Sequence, residues 1–459
     1  MLIGFSVRNY KSFKDEQRIS LIASKIVRHK SHVIEVGARR ILKSGLVFGA
    51  NAGGKSNLIR AVNFSKKIVL NGLDTLDISK SHFRIDNSYF EKPGVFEYRI
   101  YTNDHEYSYG IAISYAKQEI ISEWFYRVEK SGSELCIYNR NVDDNGNSTV
   151  ESDIISSKNK ESQRLSIYLD DFGIEISDVF RKKSILSDLA SRGKATDGYF
   201  AEIYSVYLWF ERLISIYPGT KYNMINELGL DSSRKSFFQG IMNYFHTGIK
   251  SIESQEQEFD FDKLFEDFPH AQAEKIKADF YKQTANGPIN IRINDQFVKL
   301  HRDNSGNVVY NKLILNHGNP EDMFEYTDES DGTKRLFDLV PILYDVGKDS
   351  VILIDEIDRS LHTKLSQKFL EMFYENNEDN TCQLIATTHD SNLLDLDLVR
   401  QDEIWFVERD ESHASQLYSL NKFKERFDKK IDKEYLLGRY GAIPIFNDML
   451  LTEGNDADE

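Results

Sequence analysis

The chain has 459 residues, of which 40% are hydrophobic and 29% are charged, and its net charge at pH 7 is −15. This composition is typical of a globular protein, and the length exceeds one typical hydrophobic core, so we expect at least two lobes. No apolar run approaches the ~18 residues that cross a bilayer and no secretory signal pattern is present, so we expect a cytoplasmic protein without membrane contact. Cys136 and Cys382 form no C-x-x-C motif, which argues against a disulfide framework or a zinc site.

Positive charge is concentrated at the start of the chain. Residues 1–72 contain 14 Lys and Arg against 3 Asp and Glu, a net charge of +11, whereas the remaining residues have a net charge of −26. A basic segment of this kind serves either a nucleotide or a DNA backbone, and a solvated hairpin would have the same composition. Composition therefore keeps DNA open as a partner.

The first elements are predicted to be strands. Ile3, Phe5 and Val7 alternate with small or polar residues, which indicates a strand, and residues 9–13 follow as a turn. A second strand pair is predicted around residues 19–22 and 33–36, before the apolar run at 41–48.

A complete P-loop follows this apolar run. Residues 49–56 read Gly-Ala-Asn-Ala-Gly-Gly-Lys-Ser, and a helical pattern continues from Asn57. Glycines in such a loop let backbone N–H groups surround a phosphate at a helix N-terminus. Lys55 is expected to reach the β- and γ-phosphates, and Ser56 to hold Mg²⁺. The predicted nucleotide-binding residues of this segment are Gly49, Asn51, Ala52, Gly53, Gly54, Lys55, Ser56 and Asn57.

Three further stretches complete the predicted organisation. Four alternating runs between residues 95 and 138 predict an antiparallel meander, and apolar residues at three- and four-residue spacing predict helices over 176–285. Strands return at 289–293, 297–301 and 308–315. Because 300 residues separate Lys55 from Asp355, we expect an insertion between the two halves of one domain. The predicted parts are 1–175 (P-loop and meander), 176–285 (inserted helical arm or lid), 286–450 (second half of the domain) and 451–459 (acidic tail).

A second apolar strand ends in two carboxylates, Asp355 and Glu356. Buried parallel strands present acids in this way at their carboxyl ends, and with a P-loop the pattern is a Walker B motif. Asp355 is predicted to bind Mg²⁺, and Glu356 to orient or deprotonate the attacking water. The next apolar strand, 383–388, leads to His389, whose imidazole can hydrogen-bond the γ-phosphate or the water. The predicted catalytic residues are Lys55, Glu356 and His389.

One more helix start carries residues that suit an anion. Ser330 and Gly332 open an apolar helix after Glu329, and helix N-termini favour negative charge. An ordinary N-cap with a flexible turn would have the same sequence. Taken alone, the segment therefore does not predict a site.

Together these motifs resemble the ABC-type ATPase heads of the SMC, RecF and OLD group, and most closely the OLD-like AAA ATPases of bacterial anti-phage and abortive-infection systems. Residues 5–13 are similar to the first strand and turn of these heads, which implies that Lys11 contacts the nucleotide. Residues 330–333 look like a degenerate signature motif, which implies nucleotide contacts for Ser330 and Gly332. Two features depart from the pattern: Ala52 stands where SMC heads usually have Gly, and residues 330–333 lack the Leu-Ser-Gly-Gly signature. Gln118 is the only candidate for a Q-loop residue, and an ordinary surface glutamine is the favoured alternative.

The resemblance implies an α/β P-loop NTPase fold of the ABC-head type, with a mixed central sheet, an antiparallel β-meander and an inserted helical lid or arm. It further implies ATP and Mg²⁺ as ligands, ATP hydrolysis, and a homodimer or higher homo-oligomer with composite ATP sites. By analogy, the ATPase controls a separate effector, a nuclease or a toxin, in anti-phage defence. Two alternatives stay open: a RecF-like repair ATPase that binds DNA, and a slow ATP-gated scaffold.

A nuclease centre within this chain is not expected. Asp395 and Asp397 mimic the Asp-x-Asp pair of the Toprim domain that follows the ATPase in OLD proteins. Only 70 residues follow His389, however, and these are needed for closing strands. We interpret Asp395 and Asp397 as polar positions after the switch histidine.

Overall fold

The computed structural model describes most of the chain as two compact units. The described residues are 1–37, 39–155, 160–173, 177–192, 198–218, 232–259, 289–293, 296–319, 321, 323–345, 349–426 and 429–444, together with 274, 277, 278, 280, 281, 284 and 287. Unit 1 consists of Met1–Ser215, Lys348–Asp358 and Tyr374–Glu459, and unit 2 consists of Ile216–Gly347 and Arg359–Phe373. None of the described helices is both long enough and apolar enough to cross a membrane.

The strands and helices of the described residues are numbered in chain order. The strands are β1 (Leu2–Arg8), β2 (Gln17–Ser20), β3 (Val33–Val36), β4 (Arg39–Leu42), β5 (Ser44–Phe48), β6 (Gly94–Thr102), β7 (His105–Ser114), β8 (Glu119–Val128), β9 (Glu134–Val142), β10 (Ser148–Glu151), β11 (Ile214–Ile216), β12 (Ser251–Glu258), β13 (Ile289–Ile293), β14 (Gln296–Arg302), β15 (Val308–Asn316), β16 (Phe324–Glu325), β17 (Val351–Ile354), β18 (Gln383–Thr387), β19 (Ile404–Arg409) and β20 (Ser415–Ser419). The helices are α1 (Lys55–Asn71), α2 (Lys160–Asp170), α3 (Asp178–Arg181), α4 (Ile185–Arg192), α5 (Gly198–Glu211), α6 (Ser232–Tyr244), α7 (Asp331–Asp345), α8 (Thr363–Asn376) and α9 (Ile431–Leu436).

Unit 1 contains a seven-stranded antiparallel sheet in the order β10-β9-β8-β7-β6-β1-β2. The predicted first strand and the meander β6 to β9 are confirmed. The predicted pairing of the strands near 19–22 and 33–36 is wrong, because β2 pairs with β1 and β3 pairs with β4. Alternating side chains identify a strand, but they carry little information about which strand lies beside it.

The second large sheet of unit 1 carries the predicted motifs. Its order is β11-β17-β18-β5-β19-β20, and β17, β18, β5 and β19 are mutually parallel. Strands β17, β18 and β5 are buried throughout, as expected for parallel strands covered on both faces. The carboxyl ends of parallel strands lie at one edge of a sheet, so the P-loop, Glu356 and His389 emerge at the same edge.

The helices of the predicted arm 176–285 do not all belong to one unit. Helices α4 and α5, which belong to the predicted arm 176–285, lie in unit 1 and pack on α1. Helix α3 also lies in unit 1, and the part of the arm from residue 216 onwards, with strand β12, belongs to unit 2. Residues 219–231 and 260–273 and the predicted tail 451–459 lie outside the described residues. A helical apolar repeat identifies a helix, but it does not specify the core on which the helix packs.

Unit 2 has its own sheet and core. Strands β12, β15, β14 and β13 form an antiparallel sheet in that order, with β16 paired to β15, so the strands predicted near 289–315 are confirmed. Helices α6 and α7 bury Phe238, Met242 and Phe337 in one apolar cluster with Leu315. The apolar helical repeat in this part of the predicted arm is therefore part of a local core.

Candidate functional site

The P-loop connects the end of β5 to the start of α1, and neighbouring strands explain two of its glycines. A Cβ on Gly49 would overlap the carbonyl oxygen of Val407 in β19. Gly54 has a φ of 119°, and a Cβ there would overlap the hydroxyl of Ser415 in β20. Both positions therefore require glycine, because the backbone and side chains of β19 and β20 approach the loop closely.

Ala52 adopts a left-handed backbone conformation in this loop, with a φ of 63°. A residue other than glycine costs of order 1 kcal/mol or more in this region, and such strain collects at functional sites. Glycine, which SMC heads usually have at this sequence position, would therefore fit the backbone of residue 52 better than alanine does.

A cavity of about 440 Å³ lies beside the P-loop within unit 1. Of the residues predicted from the P-loop, all except Gly49 line this cavity, and Glu356 and His389 line it as well. Strand β5, strand β17, strand β18 and helix α1 therefore bring the three predicted catalytic side chains to one cavity.

Lys55 is buried, with 4% of its surface exposed. Its ammonium group donates to the carbonyl oxygens of Gly49 at 2.6 Å and Ala50 at 3.1 Å, and to Nδ1 of His389 at 3.1 Å. Burial lowers the pKa of Lys55 to about 8, although the carboxylates of Asp358, Asp355 and Glu356 act in the opposite direction. These hydrogen bonds hold the ammonium group of Lys55 against the loop.

His389 follows β18, and its imidazole is an acceptor towards Lys55. Burial, and then the charge of Lys55, lower the pKa of His389 below its usual value. Its backbone N–H donates to both carboxylate oxygens of Asp358 at 3.3 Å. Because Nδ1 accepts from Lys55, the proton of the neutral ring lies on Nε2, which can act as a donor.

The Walker B carboxylates occupy different environments. Asp355 is 2% exposed and accepts a 2.7 Å hydrogen bond from the hydroxyl of Thr387. Glu356 lines the cavity and has a φ of 52°, again in the left-handed region. Carboxylate and hydroxyl oxygens suit Mg²⁺, so Asp355 and Ser56 provide the donor types that this ion prefers.

A buried network of hydroxyl groups connects the P-loop to the N-terminal turn. The Ser415 hydroxyl lies 2.7 Å from the carbonyl oxygen of Gly53 and 2.8 Å from the hydroxyl of Ser12. The side-chain amide of Asn57 donates to the same Ser12 hydroxyl at 2.8 Å. The turn after β1, the start of α1 and the start of β20 thus share one set of hydrogen bonds.

Lys11, a predicted nucleotide contact, is not among the residues that line the cavity. Its backbone N–H donates to the carbonyl oxygen of Ser81 at 2.7 Å, and its φ is 50°. Burial, followed by the charges of Arg60 and Arg84, lowers the pKa of Lys11. Since Arg60 lines the cavity, Lys11 lies within the electrostatic reach of the site, and its nucleotide contact stays a prediction.

Ser330 and Gly332 belong to unit 2, whereas the cavity belongs to unit 1. The Ser330 hydroxyl accepts from the backbone N–H of Thr333 at 3.2 Å, which is the geometry of an N-cap for α7. A Cβ on Gly332 would lie 2.9 Å from the carbonyl oxygen of Ser360. Local packing thus accounts for both residues, and their nucleotide contacts stay a prediction.

Local surroundings account for three other residues considered in the sequence, Gln118, Asp395 and Asp397. Gln118 lies in the exposed hairpin turn between β7 and β8. Asp395 accepts from the backbone N–H of Asp397 at 2.9 Å, and Asp397 pairs with Arg28 at 2.6 Å. In the part of the chain that the structure describes, no group of three or more His, Cys, Asp or Glu side chains could hold a metal ion.

Sequence reasoning did not identify Arg60 and Arg409 as site residues, although both line the cavity. Arg409 ends β19, which runs parallel to the P-loop strand β5, so its position follows from the sheet order. The Walker B and switch motifs end their strands in acids or histidine, and Arg409 belongs to neither motif. An apolar strand that ends in arginine is the signal that could have revealed it.

The sequence comparisons give one family. The family described as "AAA domain, putative AbiEii toxin, Type IV TA system" matches residues 46–169 and 232–395, more than half of the chain. The matched segments include the P-loop, Asp355, Glu356 and His389. No curated protein gives a significant match.

Two solved structures are similar over most of their length. The SMC head domain from Thermotoga maritima is 13% identical, with a TM-score of 0.36, and the match covers 91% of this chain and 98% of that chain. An SmcHead bound to the C-winged helix domain of ScpA is 15% identical, with a TM-score of 0.39, and the match covers 92% of this chain and 99% of that chain. Because both scores are below 0.5, the α/β assignment depends on the sheet topology and on the family match.

Proposed function

Since the chain belongs to the AAA-domain family whose profile spans its P-loop and Walker B motif, we propose that it is an ATPase that converts ATP and water to ADP and phosphate. The observation that carries this proposal is that Lys55, Glu356 and His389 line one cavity beside a complete P-loop. A cation, a carboxylate and a neutral imidazole at one phosphate site are the groups that hydrolysis of a γ-phosphate needs.

Each residue has a role that its surroundings support. The P-loop backbone and Lys55 bind the β- and γ-phosphates, and Glu356 orients the attacking water and accepts its proton. His389 donates from Nε2 to the γ-phosphate. Ser56 and Asp355 would hold Mg²⁺, which would neutralise charge on the phosphate oxygens.

We further propose that ATP controls the association of two or more copies of the chain. The single P-loop and the signature-like segment around Ser330 support a composite site, in which the segment of one copy completes the cavity of another. The family description, which mentions a toxin and a toxin–antitoxin system, supports a regulatory role beside a separate effector in anti-phage defence. A slow ATP-gated scaffold would show the same association with little turnover.

The variant Glu356→Gln tests the association proposal. Glutamine keeps the size of the side chain but cannot accept the proton of the water, so we expect ATP to remain bound. Light scattering should then show dimers or larger oligomers with ATP and monomers without it. A Glu356→Gln protein that binds ATP and stays monomeric would contradict the composite site.

The exposed basic loop before β3 favours a second candidate, a DNA-binding repair ATPase. Lys25 and Lys30 are exposed there beside Val27, which is 70% exposed. DNA binding through such cations weakens steeply as salt rises. Measuring ATP turnover with and without duplex DNA at two salt concentrations separates the candidates, because the regulatory ATPase is expected to ignore DNA.

A further inference from the structure

Thr387, the last residue of β18, is completely buried and contacts both Walker B residues. Its hydroxyl lies 2.7 Å from Oδ1 of Asp355 and 2.9 Å from the backbone nitrogen of Glu356. An N–H group can only donate, so the hydroxyl oxygen accepts from Glu356 and the hydroxyl proton is directed to Asp355. One side chain therefore orients the metal-binding carboxylate and the backbone of the water-orienting residue.

The backbone of Thr387 extends this contact. Its carbonyl oxygen accepts from the N–H of Ile357 at 2.9 Å. The parallel pairing of β17 with β18 ends at Ile354 and Ala386. Beyond that point Thr387 contacts three successive residues, 355–357, where a regular ladder has ended.

The contact to Glu356 matters because the backbone of Glu356 is strained. Its φ of 52° lies in a region that residues other than glycine rarely adopt, and such conformations persist only when surrounding contacts hold them. The hydrogen bond from its N–H to Thr387 is one such contact. The direction of the Glu356 side chain into the cavity depends on this backbone.

We propose that Thr387 is a positioning residue for ATP hydrolysis, which sets the geometry of Asp355 and Glu356 through its hydroxyl group. The proposal rests on the proposed ATPase activity. A purely structural threonine would satisfy its hydroxyl in the same way but would affect stability alone, so the test must separate catalysis from folding.

Two substitutions at this position provide that separation. Thr387→Val keeps the shape of the side chain and removes the hydroxyl, whereas Thr387→Ser keeps the hydroxyl. We expect Thr387→Val to lower kcat by about ten- to a hundredfold, with KM for ATP within about threefold of wild type. It should also raise the Mg²⁺ concentration that gives half-maximal turnover. Thr387→Ser should restore kcat to within about threefold.

Two further variants guard against a folding artefact. Thr387→Ala also lacks the hydroxyl and must show the same loss of kcat. Ser148→Ala removes an equally buried hydroxyl, which donates to the carbonyl oxygen of Phe172 in the meander region. It should keep the wild-type kcat, even if its melting temperature falls.

Amide hydrogen exchange provides a measurement that does not depend on turnover. The N–H of Glu356 should exchange faster in Thr387→Val than in wild type or Thr387→Ser. A Thr387→Val protein with wild-type kcat and wild-type exchange at Glu356 would overturn the inference. Wild-type protein that hydrolyses no ATP would instead overturn the proposed function and the catalytic role of Thr387 with it, and the exchange result would then decide only whether the Thr387 hydroxyl holds the backbone of Glu356.

Discussion

The ammonium group of Lys55 donates to Nδ1 of His389 at 3.1 Å, so the P-loop and the end of β18 are in direct contact. The two residues lie 334 positions apart in the sequence. Phosphate oxygens are stronger acceptors for an ammonium group than an imidazole nitrogen. We therefore expect nucleotide binding to replace the Lys55–His389 hydrogen bond and to release His389 for the γ-phosphate.

ATP affinity should fall as pH rises above 8. The pKa of Lys55 is lowered to about 8, and nearby phosphates favour its charged form, so the pKa rises on binding. Below pH 8 the lysine is already charged and affinity is insensitive to this group. Above pH 8 binding must take up a proton, and affinity falls by up to about tenfold per pH unit.

Titrations with a fluorescent ATP analogue between pH 7.5 and pH 9.5 measure this dependence. Lys55→Arg is the matched control, since arginine stays charged throughout this range. The ATP affinity of Lys55→Arg, whatever its absolute value, should not change with pH through the charge of residue 55. The same pH dependence in Lys55→Arg would show that another group is responsible.

Ala52→Gly should stabilise the nucleotide-free protein by about 0.5–1 kcal/mol, because it removes the cost of a left-handed alanine and this exceeds the entropy that glycine adds to the unfolded chain. Urea unfolding measures the difference. Ala50→Gly is the matched control, because the φ of Ala50 is not positive, and there the same substitution should destabilise. Equal effects at the two positions would contradict the strain at Ala52.

Ser415→Ala should weaken ATP binding by about three- to tenfold, because the Gly53 carbonyl and the Ser12 hydroxyl lose their shared partner. Equilibrium binding of a labelled nucleotide measures the change. Ser412→Ala lies in the same hairpin, where the hydroxyl donates to Asp410, and should leave affinity unchanged. Equal affinities of the two variants would show that the network does not support the P-loop.

Glu123→Ala should destabilise unit 1 by about 3 kcal/mol or more, because it removes a buried acceptor that many donors share. The Glu123 carboxylate is completely buried and accepts from Tyr109, Tyr138, Ser184 and two backbone N–H groups at the start of α4. Thermal unfolding followed by circular dichroism measures the loss. Glu134→Ala, which breaks a partly exposed pair with Arg99, should cost less than about 1 kcal/mol.

The residues of the site were predictable where they stand in a contiguous motif. Lys55 lies in the loop after one apolar strand, and Glu356 follows another. Because the carboxyl ends of parallel strands lie at one edge of a sheet, both residues are predicted at that edge. His389 was predicted by the same argument. The meander followed from alternation, which depends only on nearby residues, and the α/β class followed from the family resemblance carried by the P-loop and Walker B motifs.

Other features depend on contacts between distant segments, which no local pattern encodes. The Thr387 hydroxyl contacts Asp355 and Glu356, which are 32 and 31 positions away. The Ser415 hydroxyl contacts Gly53 and Ser12, which are 362 and 403 positions away. The division of the predicted helical arm between two units depends on which core each helix covers. The position of Arg409 beside the P-loop could be predicted only from the order of the strands, and tertiary packing decides that order.

Phosphate release from ATP by purified protein in the presence of Mg²⁺ tests the proposed ATPase site most directly. Wild-type protein should release phosphate, Glu356→Gln should retain ATP binding and lose turnover, and Lys55→Ala should lose both. If wild-type protein hydrolysed no ATP, or if Lys55→Ala hydrolysed it at the wild-type rate, the assignment of the cavity as an ATPase site would be wrong.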